Sequence, residues 1–408
     1  MASQPSLYTK AQFFKCALQV NPYGYIQYRG QEIQFTEEEY NQQLLIKALE
    51  AGIQVVGLAD LGSVAGIDSI RNLFQQNGIV VFPGFEIASS EKIHFVCLFD
   101  EDKTVQELER ILGSLQVLDP DNGVRPSKLS GEQLIEKVNN QGGFIYAAHS
   151  TNNNGILKLR MNHVWRQEKL LAAQIPRDLE DLRGVDNGFY RNAFLNKLPD
   201  YQRIRPMAVI NAADVAKPDD LLERGSSCLI KMTRPCFASF KQAFLDAGSR
   251  VRLNSASIEN YSSALESLRF IGGYLDGLEI EFSQHLNAVI GGRGTGKSTL
   301  LECIRFVLEI EPKTTEAKKQ YQAIIDNNLG KEGGMVELNL RSANMQGRRF
   351  KVSRKYGSTA TVTDANGNIS PYQPTDLLPT IELYGQNEIY ELTRDSVSRN
   401  KLIQRFLD

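Results

Sequence analysis

The segment 291–298, with the sequence GGRGTGKS, constrains the fold of this chain more than any other feature. It matches the phosphate-binding pattern G-x-x-x-x-G-K-[ST]. The apolar run 286–290 precedes it, and residues 299–308 follow with apolar side chains at helical spacing. These flanks predict a strand, a loop and a helix in succession. The sequence therefore predicts an α/β unit whose loop binds a nucleoside triphosphate.

The roles within this loop follow from its chemistry. Glycines allow positive φ, so that backbone N–H groups and the helix N-terminus can face phosphate oxygens. We expect Lys297 to reach the β and γ phosphates as a catalytic residue, and Ser298 to hold Mg²⁺. Arg293 could add a phosphate contact or point into solvent. The predicted ATP-binding residues are Gly291, Gly292, Arg293, Gly294, Thr295, Gly296, Lys297, Ser298 and Thr299.

Composition limits the class of protein. A length of 408 residues allows two or three domains, and the net charge of -2 gives no global attraction to nucleic acid or membranes. Five cysteines without C-x-x-C spacing argue against a disulfide framework or a zinc ribbon. No signal peptide is evident, and no stretch approaches the ~20 apolar residues of a membrane span. We therefore expect a cytoplasmic protein without membrane contact.

The chain divides by pattern into two halves. Residues 35–253 alternate helical patterns with short apolar runs, which is typical of a parallel β/α barrel. Thr36 and Glu39 form a capping box before the first long helix. A polar, Ser-rich stretch follows, so we predict a barrel at 1–255, a linker at 256–264 and a second domain at 265–408. The predicted barrel strands are 53–59, 79–82, 93–99, 143–148, 207–210 and 228–231.

Acidic and histidine residues follow these strands: Asp60, Glu86, His149 and Asp214. In a β/α barrel the carboxyl ends of the strands open on one face, where the active site lies. His94 begins a strand eight residues after Glu86, and a hairpin could bring the two together. Glu86, His94 and His149 would supply one carboxylate and two imidazoles, enough for one zinc or manganese ion with an open position. Asp214 is a possible fourth ligand.

Three segments resemble the polymerase and histidinol phosphatase (PHP) family of metal-dependent phosphoesterases. They are PGFEIASSEKIHFVCLF at 83–99, GGFIYAAHS at 142–150 and RPCFASFKQAFLDAGSRVRL at 234–253. The resemblance implies a distorted barrel with a multi-metal centre.

Other positions depart from the PHP pattern. The family's D-L-H-x-H segment here carries Gln19 and Asn21, and its T-D-H and S-D-A-H segments have Leu61 and Val215 after the aspartates. Amides are weaker ligands than imidazole, and Leu and Val cannot ligate at all. Two interpretations stay open: a scaffold without metal, or a single functioning metal at Glu86, His94 and His149.

The second half, from Tyr274 to Leu308, resembles the opening lobe of ABC-type ATPases of the structural-maintenance-of-chromosomes (SMC) kind. The later LYGQNE segment resembles their Q-loop, which implies that Gln386 contacts Mg²⁺ and the attacking water. In such ATPases a signature motif and a Walker B acid pair come later, and neither follows Gln386 here. We expect a longer ATPase or a completing partner, with a nucleotide-sandwiched homodimer or higher homo-oligomer as the working form. The Walker B-like string at 95–101 lies in the first half, and we interpret it as a barrel strand.

Six cations on or directly after the predicted strands 335–341 and 348–354 form a candidate nucleic-acid surface. No acid lies between Glu337 and Asp364, and the alternative is a solvated strand face. The cations are Arg341, Arg348, Arg349, Lys351, Arg354 and Lys355.

Together these patterns predict an α/β fold: a distorted PHP-type β/α barrel followed by the first lobe of an ABC/SMC-type P-loop ATPase. Our leading hypothesis is an ATP-binding and ATP-hydrolysing sensor or motor that acts on nucleic acid. The resemblance implies bacterial anti-phage defence as the process. Two alternatives are an ATP-gated metal-dependent phosphoesterase or nuclease, and an oligomerisation scaffold.

Overall fold

The computed structural model describes residues 10–28, 35–117, 126–256 and 262–385, together with 388, 390, 400 and 404. The chain divides into two compact units, one formed by Ala11–Ile258 and one that holds Glu259–Asp408. Both units mix helices with strands, so the predicted α/β class is confirmed.

The strands of the first unit are short and buried. They are β1 Gln12–Val20, β2 Val55–Leu58, β3 Asp60–Leu61, β4 Val80–Phe82, β5 Gly84–Ala88, β6 His94–Leu98, β7 Phe144–Ala147, β8 Ala172–Gln174, β9 Ala208–Ile210, β10 Cys228–Met232 and β11 Val251–Leu253. Within the described residues they form two sheets, in the orders β11-β10-β1-β2-β4 and β3-β5-β6-β7-β8-β9. Strands β1, β2 and β4 are parallel, as are β7, β8 and β9, whereas β6 is antiparallel to both neighbours.

Helices connect and cover these strands. They are α1 Tyr23–Tyr28, α2 Glu37–Glu50, α3 Ile67–Gln76, α4 Val105–Ser114, α5 Gly131–Asn140, α6 Asn162–Trp165, α7 Phe189–Phe194, α8 Phe237–Ala243 and α9 Ala247–Arg250. Single 3₁₀ turns lie at Glu180–Leu182, Val185–Gly188, Pro199–Tyr201, Pro218–Leu222, Arg224–Ser226, Phe244–Asp246 and Asn254–Ala256.

Local sequence explains where α2 begins. The predicted capping box is present, because the Glu39 N–H donates to Thr36 Oγ1 and the Thr36 N–H donates to Glu39 Oε2. Every residue of β2 and β7 is buried, as expected for strands covered on both faces.

The two sheets of the first unit are linked at one end. Val20 and Val215 form an isolated parallel bridge, in which the Asn21 N–H donates to Val215 O and the Val215 N–H donates to Gln19 O. This bridge places Gln19 and Asn21 beside the segment that carries Asp214.

The second unit is built on an antiparallel sheet with the order β13-β12-β14-β15-β16. Its elements are β12 Ala264–Ile271, β13 Glu279–Glu281, α10 Lys297–Val307, α11 Thr315–Asn328, a 3₁₀ turn at Gly330–Glu332, β14 Met335–Ser342, β15 Arg348–Lys355, β16 Thr361–Asp364 and α12 Pro374–Leu377. Alternate residues of β14 point into the core, where Val336 and Leu338 join Cys303 and Val307 of α10 in one buried cluster. The helix that follows the glycine-rich loop is therefore fixed to the sheet.

The strand predicted at 286–290 is wrong. These residues form no strand, and the side chains of Leu286 and Ile290 are 93% and 92% exposed. The Asn287 side chain accepts from the Ser283 N–H and donates to the Ser283 and His285 carbonyls, so it holds the backbone in a turn. A strand also needs a neighbouring backbone, and no described strand pairs with this segment.

Candidate metal and nucleotide sites

The first candidate site lies where several strands of the first unit end. Glu86 lies in β5 and His94 begins β6, and the predicted hairpin between them is present, with Ala88 opposite His94. His149 lies just after β7 and Asp214 lies after β9. The topology therefore brings together side chains that are far apart in sequence.

Glu86 is the centre of this site. It is 3% exposed, and its Oε1 atom lies 2.6 Å from His94 Nδ1 and 3.5 Å from His149 Nε2. His149 Nε2 is also 3.6 Å from Asp214 Oδ2. Glu86, His94 and His149 each offer one ligand atom, an oxygen or a ring nitrogen, and these three atoms lie within 4.8 Å of one another. This spacing could hold a metal ion.

The other oxygen of Glu86 faces an amide. Gln19 Nε2 donates to Glu86 Oε2 at 3.0 Å, so an N–H group faces the carboxylate oxygen that a second cation would need. Gln19 and Asn21 are fully buried, and Gln19 Oε1 and both polar side-chain atoms of Asn21 have no hydrogen-bond partner among the described residues. Buried polar atoms of this kind are rare in native proteins, and they mark a polar pocket.

The backbone at His149 is unusual. Its φ of 45° lies in the left-handed region, which a residue with a side chain seldom adopts. The following turn holds it there, because the Asn152 N–H donates to His149 O. Gly155 completes the turn, where an added Cβ would lie 2.2 Å from His149 O. Local strain of this type is concentrated at functional sites.

The pKa values of two carboxyl groups in this pocket, Glu86 and Asp60, are shifted in opposite directions. Burial alone would raise the pKa of Glu86, but hydrogen bonds and positive charge from His149 and His94 outweigh it and lower the pKa. Burial raises the pKa of Asp60 to about 6, against a hydrogen bond from the Leu61 N–H, and the charge of Glu86 adds to the rise. Glu86 is therefore ionised well below neutral pH, whereas Asp60 becomes ionised only as the pH rises through about 6.

These residues fit one metal ion. Two imidazoles and an ionised carboxylate are a suitable ligand set for zinc or manganese, and the partly exposed His94 and His149 leave the pocket open on one side. They do not fit a larger cluster, because the Gln19 amide faces Glu86 and because Leu61 and Val215 offer no ligand atoms.

The glycine-rich loop of the second unit is a second candidate site. Gly294 and Gly296 have φ of 80° and 88°, and α10 begins at Lys297 directly after them. Only glycine adopts such angles readily. The loop borders a cleft of about 300 Å³. The cleft is lined by Tyr274, Gly294, Thr295, Gly296, Lys297, Ser298, Thr299 and Asn328.

Lys297 folds across this loop. Its Nζ donates to Gly291 O at 2.8 Å and to Gly292 O, while Thr295 Oγ1 donates to the same Gly292 carbonyl. Gly291, Gly292 and Arg293 are exposed. The loop thus places its ammonium group and the helix N-terminus on one open side of the unit. The predicted Q-loop residue Gln386 lies outside the described residues.

Sequence reasoning missed two residues of this cleft. Tyr274 donates from its hydroxyl to Gly294 O, and Asn328 O accepts from the Tyr274 N–H. Tyr274 follows two glycines with positive φ, Gly272 and Gly273, and such a pair before an aromatic residue is a weak signal of a special turn.

The six cations predicted as a nucleic-acid surface lie on β14 and β15 and at their ends. Three of them face carboxylates: Arg349 with Glu266, Lys351 with Glu337, and Arg354 with Glu309. This pairing favours the alternative interpretation, a solvated strand face.

Comparison with protein families gives one match, which lies in the second unit. Residues 267–407 match the AAA domain family. This region is therefore an AAA-type ATPase domain, and the glycine-rich loop lies within it. No curated protein sequence matches the chain.

Among solved structures, the chain is similar to an Endonuclease Q in complex with a 27-mer duplex carrying an abasic lesion, with 12% identity, a TM-score of 0.41 and coverage of 59% of this chain. The chain spans 58% of the length of that protein. It is also similar to the lesion-specific endonuclease PfuEndoQ from Pyrococcus furiosus, with 11% identity, a TM-score of 0.39 and coverage of 77% of this chain and 82% of that one. A third is described as a metal-dependent phosphoesterase from Bifidobacterium adolescentis, with 13% identity, a TM-score of 0.34 and coverage of 58% of this chain and 92% of that one. At these identities and TM-scores the likeness says nothing about activity.

Among the described residues, no helix has both the length and the apolar content to cross a membrane.

Proposed function

We propose that the second unit binds ATP with Mg²⁺ at residues 291–299 and that the chain acts as an ATP-dependent sensor or motor. The observation that carries this proposal is the pair of left-handed glycines, Gly294 and Gly296, directly before α10. Together with the N-terminus of an 11-residue helix, they would present backbone N–H groups to the phosphates. The AAA domain match over residues 267–407 supports it.

Each residue has a distinct role in this proposal. The loop amides hold the phosphates, and Lys297 exchanges the Gly291 and Gly292 carbonyls for β- and γ-phosphate oxygens. The exposed hydroxyl of Ser298 is available to Mg²⁺. Tyr274, which donates to Gly294 O, borders the cleft together with Asn328, and the two residues limit how the rest of the nucleotide is placed.

The test is ATP binding by the variant Lys297→Ala. We expect about 100-fold weaker binding, because charge-assisted hydrogen bonds to phosphate contribute roughly 3 kcal/mol. Titration of the chain with a fluorescent ATP analogue and Mg²⁺ measures this. The control is Lys318→Ala, which removes an exposed lysine of the same unit that pairs with Glu311. Binding by Lys297→Ala within threefold of the parent would refute the proposed site.

A second function is supported by the cluster of Glu86, His94 and His149. We propose that the first unit holds one zinc or manganese ion there and cleaves phosphoesters. When bound, the ion would lower the pKa of a water molecule and so supply a nucleophile. Glu86 would neutralise part of its charge, and Asp214, whose Oδ2 lies 3.6 Å from His149 Nε2, would be close enough to supply a fourth ligand.

Elemental analysis of protein purified without chelator tests this second function. We expect about one ion per chain in the parent and none in His149→Ala, since an open site with two remaining ligands binds weakly. The exposed His163, which lies outside the cluster, provides the control variant His163→Ala. If the parent and His149→Ala contain the same amount of metal, this cluster does not hold an ion, and the scaffold interpretation is favoured. If metal is present, loss of cleavage of a model phosphodiester in Glu86→Ala would link it to activity.

A further inference from the structure

A buried ionic cluster lies behind the nucleotide loop. It consists of Glu302 and Arg305 on α10 and Glu388, which are 6%, 1% and 0% exposed. Arg305 Nη2 donates to Glu388 Oε2 at 2.8 Å. Arg305 Nε lies 2.9 Å from Glu302 Oε2, an ion pair without hydrogen-bond alignment. Breaking a buried pair of this kind leaves an uncompensated charge, so the three side chains are strongly linked.

Glu388 ties this cluster to two other stretches of backbone. Its Oε2 accepts from the Gly385 N–H at 2.7 Å and its Oε1 accepts from the Lys313 N–H at 2.8 Å. Arg305 Nη2 also donates to Leu383 O at 3.1 Å. Burial alone would raise the pKa of Glu388, but these N–H groups and Arg305 hold it below its ordinary value. The Glu388 carboxylate therefore contacts three parts of the second unit: helix α10, the backbone at Lys313 just before α11, and the backbone at Gly385.

The cluster also borders the predicted Mg²⁺ ligand. Ser298 and Glu302 are four residues apart on α10 and therefore lie on the same face of the helix. With Gly385 and Glu388 they line one small cavity of about 30 Å³, room for a single water molecule. An added Cβ at Gly385 would lie 2.9 Å from Glu302 Oε1, so the chain passes close to that carboxylate.

The charges of the cluster do not balance. Two buried carboxylates share one guanidinium. Glu388 also accepts from two backbone N–H groups, whereas Glu302 Oε2 has no aligned hydrogen bond among the described residues. Glu302 is therefore the group that gains most from a cation beside Ser298. A carboxylate drawn toward Ser298 leaves the guanidinium to Glu388 alone.

We propose that Arg305 and Glu388 are positioning residues that couple occupancy of the nucleotide loop to the backbone at Lys313 and Gly385. This inference rests on the proposed ATP site. A guanidinium released by Glu302 binds Glu388 and Leu383 O more firmly, which fixes the carboxylate that accepts from Lys313 and Gly385. Gly385 directly precedes the predicted Q-loop residue Gln386 in the sequence.

Hydrogen exchange of the full chain, with and without ATP and Mg²⁺, tests the coupling. In the parent we expect exchange at the Lys313 and Gly385 amides to slow by about fivefold or more, the lower end of typical coupling between sites. In Glu388→Gln and Arg305→Lys we expect ATP affinity within threefold of the parent and no nucleotide-dependent change at these amides. The control Glu311→Gln removes an exposed partner of Lys318 close to Lys313 and keeps the parent's response.

The outcomes separate this inference from the ATP site itself. If the parent binds ATP but exchange at Lys313 and Gly385 is unchanged, the coupling is refuted and the nucleotide site stands. If the parent does not bind ATP, both proposals fail. If Glu388 has only a structural role, exchange in Glu388→Gln is faster than in the parent, but ATP still slows it as much as it does in the parent. That result also overturns the coupling. If Glu388→Gln fails to fold, the comparison of the parent with Arg305→Lys still tests the coupling.

Discussion

The two candidate sites place their polar groups in opposite ways. In the first unit, the proposed ligand Glu86 is itself buried and already contacts His94, His149 and Gln19. In the second unit, the loop at 291–298 is mostly exposed, and the buried charges stand behind it at Arg305 and Glu388. Binding and stability are therefore combined in one set of side chains in the first unit, and they are separated in the second.

The largest effect that this comparison predicts is on Glu86→Ala. We expect this variant to lose about 3 kcal/mol of unfolding free energy or more without metal, because two imidazoles and the Gln19 amide lose their buried partner. Urea unfolding in the presence of chelator, followed by tryptophan fluorescence, measures it. Trp165 is the only tryptophan and is fully buried in the first unit, so the signal reports that unit alone.

The matched control is Glu136→Ala, which removes an exposed glutamate of the same unit that pairs with Lys169. A surface pair of this kind is worth little, and we expect less than about 0.5 kcal/mol. Similar losses in the two variants would mean that the Glu86 network does not stabilise the fold, and the contrast between the two sites would disappear.

A smaller effect of opposite sign is expected for Asp60→Asn. The pKa of Asp60 is raised from 3.8 to about 6, so the folded state favours the protonated carboxyl. The stability that this group contributes is present below pH 4 and is lost as the pH rises through about 6. Asparagine has no such loss and can still accept from the Leu61 N–H. At pH 8 we therefore expect the variant to be more stable by at most about 3 kcal/mol, with little difference at pH 4.

The same fluorescence measurement, repeated in chelator from pH 4 to pH 8, shows this dependence. The exposed Asp200 provides the control Asp200→Asn, which should follow the parent at every pH. A parent and an Asp60→Asn variant with parallel stability curves would show that Asp60 ionises freely, and that the pocket is more hydrated than its burial indicates.

Sequence alone predicted features that depend on short-range patterns. All six strands predicted in the first half are present, with ends shifted by at most two residues, because each is a compact apolar run between turns. The approach of His94 to Glu86 was predictable for the same reason, since one hairpin joins them. The proximity of His149 needed a further step, the rule that the carboxyl ends of barrel strands share one face.

The features that sequence did not reveal depend on long-range partners. The run at 286–290 has the composition of a strand, but the Asn287 side chain takes up its neighbouring backbone groups and no described strand lies beside it. Arg305 and Glu388 are 83 residues apart, and Glu302 at i−3 looks like an ordinary helical ion pair. Nothing local distinguishes a buried charge cluster from a solvated helix face until the packing is known.

The smallest expected effect is on the stability of Lys297→Ala without nucleotide. Lys297 is only half-buried, and its partners Gly291 O and Gly292 O belong to exposed residues that water can reach, so we expect a change within about 0.5 kcal/mol. Adding ATP and Mg²⁺ should then raise the melting temperature of the parent but not of the variant, since a ligand at 100 times its Kd stabilises by about 2.7 kcal/mol. Differential scanning calorimetry of both proteins measures the two effects in one experiment. A variant that already melts much lower without nucleotide would show that Lys297 stabilises the folded loop, and the second unit would then combine binding with stability just as the first one does.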